Sequence, residues 1–380
     1  MDVTRPPIWS YLVADLRTNA ILDELPLTAV TWTKKLNDTG TMLASWNIAV
    51  DERRNANTLT TPAKLALYAV RDGLPLWGGV IWTRSYDSFT QTVQIGCGDF
   101  GSYFDHRKVV PLLGAVGADT GIIAGVSVTF TATEQNEIAR QLVALAATHT
   151  GGDIGINLDA SVSGTLRDRT YFGYELQGVT DAIKLLAGLE DGPDFLFDVT
   201  AGIGVEQPRR VLLLGDPHLG QQGSPHVWEY GGNVAQYVWP SDGTGMATRT
   251  YAVGDGIEQA ALIAMAENTV RYADGWPVLE QETGYTTVSD PSTLNAHASS
   301  DLLAARLPIV LPTLQLRRGV PPLLGDYQVG DDGRLVILDA FHRDPGIDTQ
   351  IRTIGQTVRP DSTDGEQVEL TCAPILEDVI

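Results

Sequence analysis

The sequence predicts a mainly β chain with α+β insertions: two similar antiparallel β-barrels and two smaller accessory domains. Three observations carry this. Runs of alternating apolar and polar residues, broken by Asn, Asp and Gly turns, dominate both ends of the chain. The middle differs in texture, with helical stripes between glycine-rich connectors. The chain also matches itself: residues 62–96 set without a gap against 321–355 give 11 identities in 35 positions, where typical composition gives roughly two or three. Pro62, Leu65, Tyr68, Val70, Asp72, Leu76 and Arg84 meet Pro321, Leu324, Tyr327, Val329, Asp331, Leu335 and Arg343. A shared skeleton of this kind predicts an internal duplication.

Taken in order, LPLTAVTWTKKLNDTGTMLASWNIAV (25–50) places Val30 and Trp32, then Met42, Ala44, Trp46 and Ile48, on one face of a β-hairpin that turns at Asn37–Gly40. Strands at 64–71, 74–86 and 90–100 complete a first barrel, residues 1–112. An α+β domain follows at 113–220. Its clearest helix is 133–148, with Ile138, Leu142, Leu145 and Ala146 in a stripe stopped by Gly151-Gly152. A shorter helix, 180–190, precedes strands DFLFDVT and RRVLLLG. The hairpin pattern resumes at 226–253, where Trp239, Asp242, Gly245 and Met246 echo Trp32, Asp38, Gly40 and Met42. The second barrel is expected in 221–253 and 308–380, with strands at 309–318, 323–329, 334–343, 349–358 and 366–373. A helical insertion subdomain, 254–307, interrupts it. There Asp255 and Glu258 read as a capping box for a helix to about 268, and Asp290-Pro291 as N-cap and N1 of a helix carrying Leu294, Ala298, Leu302 and Ala305.

Composition excludes some functions. The net charge is −21, from 26 basic and 47 acidic residues, which argues against an outer surface for nucleic acid or anionic membrane. Residues 1–110 carry 11 acids and 11 bases, so the whole surplus, 36 acids against 15 bases, falls beyond them. The N-terminal residues lack a secretory pattern and no apolar run approaches a membrane span, so synthesis in a cytoplasm and no membrane insertion are expected. Cys97 and Cys372, each inside a strand-like run, read as buried thiols. GCGDFG (96–101) has the glycine spacing of a dinucleotide fingerprint without a helical stripe after it, so the glycines read as a bulge or strand end. DSTDGE (361–366) is too short for a calcium loop and reads as a hairpin turn. His218 and His226 flank a loop within reach of Asp216, and the other histidines are scattered. The eight tryptophans read mostly as core. No catalytic, cofactor-binding or metal residue is assigned, and the chain is not expected to be an enzyme.

LPLTAVTWTKKLNDTGTMLASWNIAV, LYAVRDGLPLWGGVIW, DAIKLLAGLEDGPDFLFDV and DLLAARLPIVLPTLQLRRGVPPLLGDYQVG together resemble the minor tail, or baseplate hub, proteins of long-tailed phages that infect actinobacteria. The resemblance covers most of the chain and extends to hubs of contractile tails and type VI spikes. It implies two tail-tube-like barrels per chain and a homotrimer whose pseudo-six-fold ring caps or extends the tail tube and adapts it to a three-fold tip. Implied partners are the tail tube, distal tail and tape measure proteins, fibre or tip proteins, and genomic DNA that passes without specific binding. The implied place is the virion tail tip, assembled in the host cytoplasm. On this reading the acidic surplus would line the channel. A carbohydrate- or receptor-binding tail protein is the alternative, with a cell-wall hydrolase behind it.

Overall fold

Alternation becomes strand wherever one face finds a cover, and the computed structural model describes this for residues 6–50, 54–112, 123–189, 191–202, 207–286, 288–362 and 365–375. The first set comprises β1 (Trp9–Asp15), β2 (Ile21–Glu24), β3 (Thr28–Lys35), β4 (Thr41–Asn47), the short helix α1 (Ala56–Leu59), β5 (Leu65–Arg71), β6 (Leu74–Asp87) and β7 (Thr92–Asp99). The predicted hairpin is β3–β4, in which Trp32, Met42 and Trp46 are fully buried and Leu43 on the opposite face is exposed. Asp72 and Gly73 both take positive φ in the two-residue β5–β6 turn, the backbone that matches strand twist.

The accessory region holds α2 (Gly101–Asp105), β8 (Ser127–Glu134), α3 (Gln135–Thr148), β9 (Ile156–Leu158), β10 (Leu166–Phe172), α4 (Val179–Ala187), β11 (Phe195–Thr200) and β12 (Arg209–Leu214). β8 pairs with β10, and β11-β12-β9 form a second small sheet. Ile138, Leu142 and Ala146 of α3 and Ile183 and Leu186 of α4 pack with Phe104, Phe195, Phe197 and Tyr68, so this region shares one core with the first strand set. Arg210, 1% exposed, ties them further by donating to Tyr68 Oη and to the Leu16 and Ile154 carbonyls at 2.5–2.6 Å.

The second set comprises β13 (His226–Glu229) and β14 (Val234–Val238), then, after a long excursion, four further strands. The excursion, residues 238–312, is a separate compact unit. It contains β15 (Arg249–Val253), β16 (Ile263–Glu267), α5 (Thr269–Ala273), β17 (Glu280–Gly284) and α6 (Pro291–Ala304), with β16-β15-β17 as its sheet. α6 begins as predicted: the Asp290 carboxylate accepts from Thr293 N, and Leu294 and Ala298 are buried against Ala252 and Ala264. The expected helix from Asp255 is instead one 3-10 turn followed by β16. Burial there alternates, with Ile263 and Met265 exposed around buried Ala264, so period two prevails over the helical stripe. The 226–253 hairpin is also different, since β15 belongs to the 238–312 unit and pairs with β16 and β17. Strands β18 (Thr313–Leu316), β19 (Asp332–Ile337), β20 (Ile347–Ser362) and β21 (Gly365–Pro374) follow, while residues 323–329 form no strand.

Two barrels were expected. Among the described residues there is no closed barrel but one continuous sheet of 13 strands. The two sets join edge to edge because Gly355–Val358 of β20 pair with Lys35–Trp32 of β3. Within this sheet the strand order β14-β18-β21-β20-β19-β13 repeats β3-β4-β7-β6-β5-β1 strand for strand. Both long hairpins carry a bulge at the same place, at Ile81/Thr83 in β6 and at Thr353/Gly355 in β20. Opposite Ile81 stands Cys97, and opposite Thr353 stands Cys372. One pairing departs from the repeat: β1–β5 is antiparallel, whereas β13–β19 is parallel.

The ungapped self-match is therefore out of step with the fold by one strand. It sets β5 against 324–330, which has no strand, and β7 against β20. The structural equivalents are β6 with β20 and β7 with β21, which align VQIGCG (93–98) with VELTCA (368–373).

Candidate assembly surfaces

Across β3, β4, β7, β20 and β21 the sheet has a buried face and an exposed one, whereas β5 is buried on both faces, and registers across the sheet sort the side chains. In an antiparallel pair, residues directly opposite share a face. One buried row runs Val368, Val358, Trp32, Met42, Cys97 and Ile81 across six strands of both sets. The opposite face reads Gln315, Glu369, Thr357 and Thr33 in one row and Thr313, Thr371, Gly355 and Lys35 in the next. It continues as Thr31, Leu43, Gly96 and Thr83, then Ser45, Gln94 and Ser85. Hydroxyl and amide groups dominate these rows, and Glu369 and Lys35 are their charged members.

The sheet's margins differ in chemistry. β2 is four residues long and ends in Asp23 and Glu24, which blunt an edge against further pairing. β14, at the other end of the order, reads VAQYV with neither charge nor proline. A third margin lies inside the sheet's outline. β6 pairs with β7 along 79–87 but with β5 only through Leu74–Val80, so among the described residues no strand lies on the β5 side of Thr83–Asp87. Beside it a groove of about 280 Å³ is lined by Ile48, Ala56, Asn57, Arg84, Tyr86 and Val93.

The β20–β3 junction is reinforced by an ion pair. Arg71 at the end of β5 donates from Nε and Nη2 to the Glu366 carboxylate at 2.7 and 3.1 Å, and Trp9 Nε1 donates to the same group at 3.1 Å. Both partners are about nine-tenths buried. Glu366 is the last residue of DSTDGE, whose central residues 363 and 364 lie outside the described residues. A second contact to this junction comes from the accessory region, where Arg352 Nη2 donates to Asp194 at 2.6 Å and Lys34 meets Asp198 at 2.6 Å.

The motifs with possible chemistry resolve structurally. In GCGDFG a five-residue helix, α2, does follow β7, contrary to the expectation of none. Its N-terminus is already occupied by Asp99, which accepts from Gly101 N and Gly40 N. Burial pushes the Asp99 carboxyl up to about 7 against these bonds. A Cβ on Gly98 would lie 2.6 Å from Ser102 Oγ, so the glycine serves close packing. His218 faces Asp194 and His226 faces Asp331, and the structure does not bring the two together on Asp216. Both cysteines are buried, and burial raises both thiols, Cys372 to about 12, so neither is poised as a nucleophile. Trp32, Trp46, Trp77 and Trp228 are core, as expected. No cluster of three metal-ligating side chains occurs among the described residues, and no described helix is long and apolar enough to cross a membrane. The open edges and the Arg71–Glu366 pair were not anticipated. VQIGCG and VELTCA, around the chain's two cysteines, were the signal that could have located the repeat.

No family model and no curated protein matches the chain. Solved structures do. The 43 kDa tail protein of prophage MuSo2 from Shewanella oneidensis aligns over 96% of this chain and 98% of its own, with a TM-score of 0.59 at 10% identity. A tail protein from Neisseria meningitidis covers 97% of both chains with a TM-score of 0.56 at 12% identity. A chain of the Francisella PdpA–VgrG complex matches 97% of this chain with a TM-score of 0.55 at 8% identity, and this chain spans 58% of it. The chain has the fold of phage tail proteins over nearly its whole length.

Proposed function

We propose that the chain is a structural component of a phage-type tail, a hub that works as a homotrimer with a pseudo-six-fold ring. The observation that carries this reading is the strand order repeated within one continuous sheet. A chain with two like edge-joined units occupies two like places, so three chains present six and match a six-fold tube on one side and a three-fold tip on the other. The likeness to phage tail proteins over almost the full length supports it. On this reading the partners are the tail tube, distal tail and tape measure proteins on the six-fold side and tip or fibre proteins on the other, at the tail tip of a siphovirus-type particle. The exposed face of β3, β4, β7, β20 and β21 becomes the channel wall, and genomic DNA slides past hydroxyls and amides. The carboxylate lining suggested by the acidic surplus does not fit those rows, where Glu369 is offset by Lys35. The chain's role in ejection is passive and non-enzymatic. Counting copies by native mass spectrometry of purified tail tips tests the reading: three per tip is the expected result, and one or six overturns it.

A further inference from the structure

The junction inside the chain is a template for one between chains. β20 is paired on both sides along its far half, by β21 and by β3. β6, its equivalent, has among the described residues only β7 as a strand partner along Thr83–Asp87. The matched bulges and cysteines fix the correspondence residue by residue: Tyr86 opposite Val93 answers to Val358 opposite Val368. Val358 is covered by Trp32 and is fully buried, whereas Tyr86 is 51% exposed beside the groove that Val93 and Arg84 help to line. An apolar row that continues into β3 in one copy of the repeat thus stops at a half-bare tyrosine in the other.

The missing neighbour has a counterpart too. β3 supplies the inner junction, and its equivalent in the repeat is β14, an uncharged edge strand. Leu43 and Thr313 stand opposite Gly96 and Thr371, each one residue before a cysteine, so β4 corresponds to β18. Arg317 N donates to the Asn233 carbonyl. An unshifted antiparallel ladder from this bond places Val238 opposite Pro312, the place Trp32 takes opposite Met42, and the Asp242–Ile309 bridge farther on is one residue out of that register. Val238 is 54% exposed. We propose that Thr83–Asp87 of one copy pair antiparallel with residues 237–241 of a second copy, the last two of β14 and the three that follow, seating its Val238 against Tyr86 as Trp32 sits against Val358. This rests on the trimer reading and says where the ring closes.

Tail assemblies carrying full-length Tyr86→Cys/Val238→Cys test it by non-reducing electrophoresis after mild oxidation. Opposed residues of an antiparallel pair lie at the separation a disulfide bridges, and the native cysteines are buried. Two- and three-chain bands are expected in the double variant and absent from either single variant. Tyr86→Asp serves as the second probe. At an exposed position it should move the melting temperature of the isolated chain by no more than about 2 °C while abolishing the three-copy species. Three copies per tip with no linked bands and with normal assembly of Tyr86→Asp overturn the seam and leave the ring standing. A wild-type count other than three overturns both.

Discussion

Glu134 starts α3 and shows how much one side chain can organise. Its carboxylate accepts from Asn136 N and Glu137 N of the first turn and from Ser163 N and Oγ across a loop, so one group caps a helix and pins the segment before β10. Burial would raise its pKa, but the Ser163 hydroxyl and the backbone N–H groups prevail and hold it below the usual carboxylate range. A group depressed on folding stabilises above its unfolded pKa, and that stabilisation fades as pH falls through the lower folded value. Glu134→Ala should lower stability by about 1–2 kcal/mol at neutral pH, as cap removal does. It should also flatten part of the decline in melting temperature below pH 4.5, the ordinary value of this carboxyl. Denaturant titrations at neutral and acid pH check both.

At the scale of elements, the junction between strand sets is held by backbone pairing and by the desolvated Arg71–Glu366 ion pair, with Arg352–Asp194 and Lys34–Asp198 beside it. Removing one member of such a pair leaves a buried charge without its counterion. Glu366→Ala should therefore cost about 2–4 kcal/mol, read from the denaturation midpoint, while Glu366→Gln should lose less because it keeps acceptor geometry for Trp9 and Arg71. Elements with strict local signatures were legible in the sequence. Trp32, Met42 and Trp46 announced the β3–β4 hairpin, and Asp290-Pro291 announced the start of α6. The cap of α3 was less plain, because glutamate is not a preferred N-cap. The parts not legible depend on distant partners. Ile263–Glu267 carries both a helical and an alternating pattern, and pairing with β15 decides between them. The repeat was legible as a fact and misplaced by one strand, because scattered identities in pleated segments fit any register that keeps the alternation. Neither the pairing of β20 with β3 nor the bare side of β6 has a local signature. Both follow from which strands meet across more than 300 residues of chain, from Lys35 to Gly355.

For the whole molecule, the 238–312 unit has a core of its own, built from Ala252, Ala264, Leu294 and Ala298, and it enters and leaves the sheet between neighbouring strands β14 and β18. Replacing residues 239–312 with a two-residue Asn-Gly turn should leave a remainder that melts in a single cooperative transition, followed by circular dichroism. A broad, non-cooperative loss of signal would contradict that independence. The same placement gives an assembled ring a phase. Joins made by β20 and β3 lie within a chain, and joins made by β6 and β14 would lie between chains, at a strand that leads straight into the extra unit. Going round, joins without and with the 238–312 unit would alternate, so a neighbour able to sense that unit would find three addresses where the tube offers six.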